Sequence, residues 1–189
     1  MMEDCDRVII NIEDASLTKQ DIRLKVWDHL ESHNLVNFPR PVHNRIPNFI
    51  GASTAGHKLA EIEEFKSAKV VKVNPDKPQE EVRYVTHYNS LFILILKLCV
   101  SRFQVLDHRK ELLVPTPRLR SGLFNRLLNS GERSKAELRT LASRKGIDSS
   151  SVPVSLEDPV RIDLVVLGSV AVDRLGHRIG KGEGFADLE

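Results

Sequence analysis

The sequence predicts an α/β layered domain, on three observations. Helical patterns alternate with short apolar, β-branched runs, the order that layered sheets and helices require. One of those runs, "VRIDLVVLGSVAV", is apolar enough for a parallel strand buried on both faces. The chain has 189 residues, enough for one such domain with a proper core.

The first element is a helix, "TKQDIRLKVWDHLESHN". Thr18 followed three residues later by Asp21 has the form of a capping box. At about 100° per residue, Ile22, Val26, Trp27 and Leu30 share one broad face. Lys19 and Arg23 fall inside the same arc, one turn apart, and so point toward the body of the protein. Two readings stay open for them. Their stems pack while the charged heads reach water, or the pair is aimed at a buried anion.

A proline-rich connector follows, "FPRPVHNRIPNF". "AGHKLAEIEEFKSA" then places Leu59, Ile62 and Phe65 at helical spacing. "KVVKVN" reads as a strand that ends at Pro75, and "ELLVPTPRLRSG" as one stopped by Pro115 and Pro117. A short helix is expected through "FNRLLN", and a longer one through "SKAELRTLASRKG", stopping at Gly146. Residues 84–103 fit this order poorly. They contain an apolar run from Leu91 to Val100 interrupted only by Lys97, too short to span a bilayer. A buried strand or core helix is the expected use of this run.

Composition excludes some classes. Lys and Arg number 28 against 26 Asp and Glu, so the whole molecule is not a polycation. Charge is uneven, however. From Arg118 to Lys145 eight basic residues face two acidic ones, Glu132 and Glu137. Such a stripe steers phosphates or RNA, or is simply a solvated helix face. The acidic start, "MMEDCDRVII", has no positive region ahead of a long apolar stretch and is not a secretory signal. Cys5 and Cys99 form neither a disulfide framework nor a metal-ligand spacing. A reducing, cytoplasmic setting is expected.

The last stretch, "RIGKGEGFADLE", alternates Gly180, Gly182 and Gly184 with Lys181 and Glu183. Glycine permits positive φ and close approach of a ligand to the main chain. Successive N–H groups in such a turn converge on an anion. Lys181 would add a point charge, and a helix starting near Ala186 its positive dipole end. The pattern is neither the dinucleotide fingerprint nor the P-loop. A tight surface turn is the ordinary alternative.

Lys-x-x-Ile-Arg in the first helix, "DLVVLGSVAVDRLGHRIG" and "GKGEGFAD" resemble the 5-formyltetrahydrofolate cyclo-ligases, also called methenyltetrahydrofolate synthetases. "FPRPVHNRIPNFIGA" and "LLVPTPRLRSGLFN" look closer still to one divergent branch of that family. The likeness runs from about Thr18 to the final residue, apart from the apolar segment at 84–103. It implies a three-layer, Rossmann-like α/β domain over 18–189, preceded by a tail at 1–17, with 84–103 as an apolar insertion. The family fold continues past the glycine loop, so the domain is expected to be incomplete at its C-terminus.

The family's reaction is an ATP-dependent ring closure. ATP phosphorylates the formyl oxygen of 5-formyltetrahydrofolate, and N10 attacks to give 5,10-methenyltetrahydrofolate, ADP and phosphate. By this resemblance Lys19 and Arg23 contact the ATP phosphates. Arg178 with Gly180, Lys181, Gly182 and Gly184 forms the phosphate cradle, and Asp187 is an acid associated with Mg2+. ATP and Mg2+ are the cofactors so implied.

The departures count against turnover. The family reads Gly-Tyr-Tyr-Asp after the loop, whereas this chain has Gly184-Phe185-Ala186-Asp187. An aromatic that would stack on the pteridine is absent at Ala186, so folate is not an expected ligand. Full-length members of the divergent branch carry a C-terminal RNA-recognition motif and look like RNA-binding proteins. This chain shows no RNP-type string, and only 5% of its residues are aromatic. The expectation is therefore a non-catalytic domain of an RNA-binding protein that retains phosphate binding, with RNA the partner mainly of the absent motif. A working cyclo-ligase and a protein-interaction scaffold are the alternatives.

Overall fold

The structure, a computed structural model, describes residues 16–75, 81–83, 96–98, 100–116, 122–155 and 157–188. The helices are α1 (Lys19–Ser32), α2 (Ala52–Lys58), α3 (Glu63–Ser67), α4 (Val100–Asp107), α5 (Lys135–Ala142), α6 (Arg144–Ser150) and α7 (Phe185–Leu188). The strands are β1 (Val70–Val73), β2 (Glu81–Arg83), β3 (Leu96–Leu98), β4 (Glu111–Pro115), β5 (Phe124–Leu127), β6 (Val152–Val154), β7 (Leu164–Val166), β8 (Ala171–Val172) and β9 (Arg178–Ile179). They form two compact units. The larger comprises Gly51–Gly168 with Phe185–Glu189, and the smaller Met1–Ile50 with Ser169–Gly184.

The larger unit is built on a mixed five-stranded sheet in the order β6-β5-β4-β1-β7. β1 runs parallel to β4, with Val71 opposite Leu112, and to β7, with Val71 opposite Leu164. β4–β5 and β5–β6 are antiparallel. Because side chains alternate along a strand, the apolar strands feed two clusters. Val71, Val73, Leu112, Val114 and Leu127 pack with Phe65, Phe103, Leu106, Leu138 and Ile147 of the helices. Leu113, Phe124 and Val154 form the other cluster. β2 and β3 make a separate antiparallel pair, with Glu81 opposite Leu98. Strands and helices interleave as an α/β domain, in agreement with the sequence.

Several elements differ from expectation. "FNRL" is strand β5, not a helix. Phe124 and Leu127 are three apart, which would put them on one helix face, yet they enter separate clusters as strand geometry dictates. Pairing with β4 over four residues outweighs local propensity. "AGHKLAEIEEFKSA" breaks into α2, a 3-10 turn at Leu59–Glu61, and α3. Ile62 is extended at the break and 43% exposed, while Phe65 is fully buried.

Gly146 does not stop a helix. The break falls at Ser143, which is extended and whose hydroxyl accepts from the Gly146 N–H, capping α6. Gly146 lies within α6, where a Cβ would sit 2.2 Å from the Thr140 carbonyl oxygen. Glycine is required there by helix–helix approach. The run "VRIDLVVLGSVAV" likewise divides, into β7 of the larger unit and β8 of the smaller. β7 is parallel, as expected, but it is an edge strand with Val165 45% exposed, not a strand covered on both faces.

Of the apolar segment at 84–103, residues 96–98 form β3, and Val100 to Phe103 open α4 with Val100 and Phe103 buried. Residues 84–95 and Cys99 lie outside the described residues, as do Cys5, Arg118 and Arg120. No helix among the described residues is long and apolar enough to cross a membrane.

Candidate functional site

The predicted phosphate ligands gather in the smaller unit, with α1 as its platform. The Thr18 hydroxyl accepts from the Asp21 N–H, and the Asp21 carboxylate accepts from the Thr18 N–H and hydroxyl, closing the expected capping box. Those bonds from Thr18, hydroxyl first, hold the Asp21 carboxyl below its usual range. Trp27 is fully buried and packs with Val36, Val42, Ile46 and Val170. Its indole N–H donates to the Arg45 carbonyl at 3.0 Å. The connector is tied to the helix by Glu31, whose carboxylate accepts from Arg40 and from the Val42 N–H. The bond from Arg40, then that from Val42, lowers its pKa.

β8 and β9 pair antiparallel, with Ala171 opposite Ile179, and lead into the glycine loop. Asp173 holds their turn, accepting from the Leu175 and His177 N–H groups and pairing with His177 Nδ1 at 2.7 Å. That imidazole bond is the main cause of the lowered Asp173 pKa. The loop then meets α1. Arg23 Nε donates to the Gly180 carbonyl at 2.7 Å, and Nη1 to Gln20 Oε1 at 3.2 Å. Gly182 has φ +102°, and a Cβ there would lie 3.4 Å from Arg23 Cζ, so the guanidinium packs directly against the loop backbone. Arg178 Nε donates to the Ser169 hydroxyl at 3.2 Å, and its Nη2 lies 3.1 Å from where a Gly180 Cβ would be. Lys181 Nζ pairs with Glu183 Oε2 at 2.7 Å.

The structure thus brings together Arg23, Arg178, Gly180, Lys181 and Gly182, with Gly184 at φ +74° closing the loop. Lys19 is different. It is exposed at the first helical position and its side chain bonds to no other described residue, so the inward orientation expected of two cations holds for Arg23 alone. Asp187 falls in α7, which begins at Phe185 close to the expected point. Its side chain lies outside the described residues.

Sequence reasoning missed Gln20 and Ser169, which steer the two guanidinium groups, and the partnership of Glu183 with Lys181. It also missed a buried polar set in the larger unit. Lys72, Asn74 and Thr116 are each less than a tenth exposed. Lys72 Nζ stands 5.7 Å from the Phe124 ring centroid, the Thr116 hydroxyl donates to the Gly122 carbonyl, and Asn74 Oδ1 has no hydrogen-bond partner among the described residues. Lysine inside "VVKV" was the available signal. A cavity of about 470 Å³ in the same unit, lined by Asp107, Arg109, Asn129, Glu132 and Arg133 among others, gathers none of the predicted site residues. In the basic segment, Arg126 pairs with Glu111 at 2.6 Å, Arg139 lies 5.3 Å over the Phe103 ring, and Arg144 stands 3.9 Å from Asp148.

Residues 100–189 match the 5-formyltetrahydrofolate cyclo-ligase family. Among curated proteins, a methenyltetrahydrofolate synthase domain-containing protein from Danio rerio is 53% identical over 91% of this chain and 40% of its own length. Proteins of the same description from Bos taurus and Homo sapiens are 49% and 47% identical over 93% of the chain and 41% of theirs. The chain therefore spans about two fifths of the length of these relatives. No solved structure matches it. The mixed α/β architecture, the glycine loop and these matches agree, and the chain belongs to the 5-formyltetrahydrofolate cyclo-ligase family.

Proposed function

We propose that this chain is a non-catalytic cyclo-ligase-like domain that retains a phosphate-binding loop and acts in the cytoplasm. One observation carries the reading: Arg23 is bonded to the Gly180 carbonyl and packed beneath Gly182, which sets a cation beside a loop of positive-φ glycines. Such loops direct N–H groups and charge at an anion. The residues fit the phosphates of ATP. Arg23, Arg178 and Lys181 would hold them, and ATP would supply an activated phosphoryl group. No group of three His, Cys, Asp or Glu side chains suited to a metal occurs among the described residues. Mg2+ ordinarily needs only one or two carboxylates beside phosphate oxygens and water, and Asp187 is the candidate carboxylate.

Ala186 supports the absence of turnover, because a methyl group offers no ring face to a pteridine. Two measurements test the reading together. Mg-ATP is expected to raise the melting temperature, since a ligand that binds only the folded state stabilises it. Production of 5,10-methenyltetrahydrofolate from 5-formyltetrahydrofolate is expected to stay well below about 1 per second, the low end of ordinary enzymes. A rate at or above that value would establish the working cyclo-ligase instead.

RNA is the partner we propose, on the branch resemblance and the basic segment. Of its eight basic residues Arg126, Arg139 and Arg144 are already engaged with neighbours, so at most five charges are left for phosphates. Association of this chain with RNA is expected to be weak and to disappear by about 200 mM salt, as a contact made through phosphates alone does. Sequence-specific binding that survives this salt would contradict the proposal.

A further inference from the structure

The lysine at the centre of the glycine loop already has an anion. Lys181 Nζ lies 2.7 Å from Glu183 Oε2, and the two side chains are 33% and 53% exposed. Gly182 separates them, and its left-handed backbone, at φ +102°, bends the chain between the two residues. Arg23, beside it, is bonded to the neutral Gly180 carbonyl and Gln20 side chain. In the Lys181–Glu183 contact a protein carboxylate stands where a ligand phosphate would be recognised.

We propose that Glu183 is a built-in competitor for the phosphate site, which biases the loop against bare polyphosphate and toward phosphate that arrives with a divalent cation. This rests on the phosphate reading of the loop given above. An incoming phosphate competes with Glu183 for Lys181. The displaced carboxylate remains on the same loop, two residues away, and repels the bound anion. A divalent cation on the phosphate removes much of that repulsion, because the ligand's net charge falls. The carboxylate is also a hard oxygen donor of the kind such a cation accepts.

The expected size follows from the exposure of the pair. A solvated ion pair is weak, but a carboxylate within several ångströms of a multiply charged anion adds a repulsion for each unit of ligand charge. Removing the carboxylate charge is therefore expected to tighten binding of uncomplexed pyrophosphate about tenfold at low salt. With pyrophosphate in its magnesium complex the gain is expected to shrink to about threefold or less, and raised salt to diminish both.

The test is calorimetric titration of the whole chain with inorganic pyrophosphate, with and without Mg2+, for the natural protein and Glu183→Gln. Glutamine keeps the shape of the side chain, and its exposed position makes loss of folding a minor concern, which a melting curve checks. Lys181→Ala, alone and combined with Glu183→Gln, completes a double-mutant cycle. Tighter binding by Glu183→Gln, larger without Mg2+ and reduced in the Lys181→Ala background, supports the proposal. Equal affinities for the natural protein and Glu183→Gln overturn it while leaving the phosphate reading in place. A gain of the same size with and without Mg2+ also overturns it, because a loosened loop rather than relieved repulsion would then be the cause. Failure of both proteins to bind pyrophosphate overturns the proposal and the phosphate reading together.

Discussion

Replacing Arg23 with alanine is expected to abolish the stabilisation proposed above for Mg-ATP. The guanidinium does two things at once: Nε fixes the Gly180 carbonyl at 2.7 Å, and the group's flat face lies under Gly182. Alanine removes both the charge and the anchor of the loop. At a ligand concentration about a hundred times Kd the natural protein gains about 2.7 kcal/mol, roughly 5–10 °C for a chain of this size. The variant should show a ligand-induced shift indistinguishable from zero. Comparing shifts rather than melting temperatures corrects for any stability lost with the bond itself. Arg23→Lys should not restore the response, because an ammonium group lacks the fork that bonds Gly180 and Gln20 together. Lys19→Ala alone should retain most of the shift, since the Lys19 side chain is exposed and bonds to no other described residue. A full shift in Arg23→Ala would take this residue out of the site.

Trp27→Ala is expected to cost about 3–5 kcal/mol, the range for removing a buried large aromatic. Trp27 has no exposed surface, touches residues from both segments of the smaller unit, and donates to the Arg45 carbonyl. Its removal leaves a cavity under α1 and an unpaired carbonyl. A domain's whole stability is ordinarily about 5–15 kcal/mol, so the smaller unit should open under conditions in which the larger remains folded. Amide hydrogen exchange resolves this: protection should fall in α1 and β8–β9 and persist in β1 and β4. Mg-ATP stabilisation should vanish as well, because Arg23 rides on the same helix. Trp27→Phe keeps most of the packing and loses only the indole donor, and should cost about 1 kcal/mol. Unaltered exchange in α1 of the alanine variant would show that the helix is held by something other than this core.

The sequence made some parts of this legible and not others, for identifiable reasons. Thr18 and Asp21 act within one turn of each other, so the start of α1 could be read from two letters. β1 and β4 could be read because short apolar runs end at Pro75 and Pro115. "FNRL" misled because an i, i+3 apolar pair serves a helix face and also the two faces of a strand. Only the presence of β4 alongside decides between them. Gly146 misled because a glycine marks a helix end in sequence, whereas here it admits a neighbouring backbone. At the site, inward-facing Arg23 and the glycine loop were visible. The engagement of Lys181 by Glu183 was not, since the backbone turn at Gly182 lies between them. The family likeness supplied the ligand class, which no spacing in the chain specifies.

The bond between Arg23 and Gly180 closes over 157 positions of sequence, and that separation sets a clock. During synthesis at roughly 5–20 residues per second, α1 is made roughly 8–30 s before the glycine loop. In that interval the 14-residue helix is near the margin of stability for an isolated segment. It holds Val36, Val42 and Ile46 nearby, but Val170, on the returning hairpin, does not yet exist. The larger unit's strands β1, β4 and β5 are complete before that hairpin emerges, so the sheet precedes the anion site in time. On the phosphate reading proposed above, ligand meets this protein only after translation has passed the loop, and nucleotide abundance acts after its early folding rather than during it.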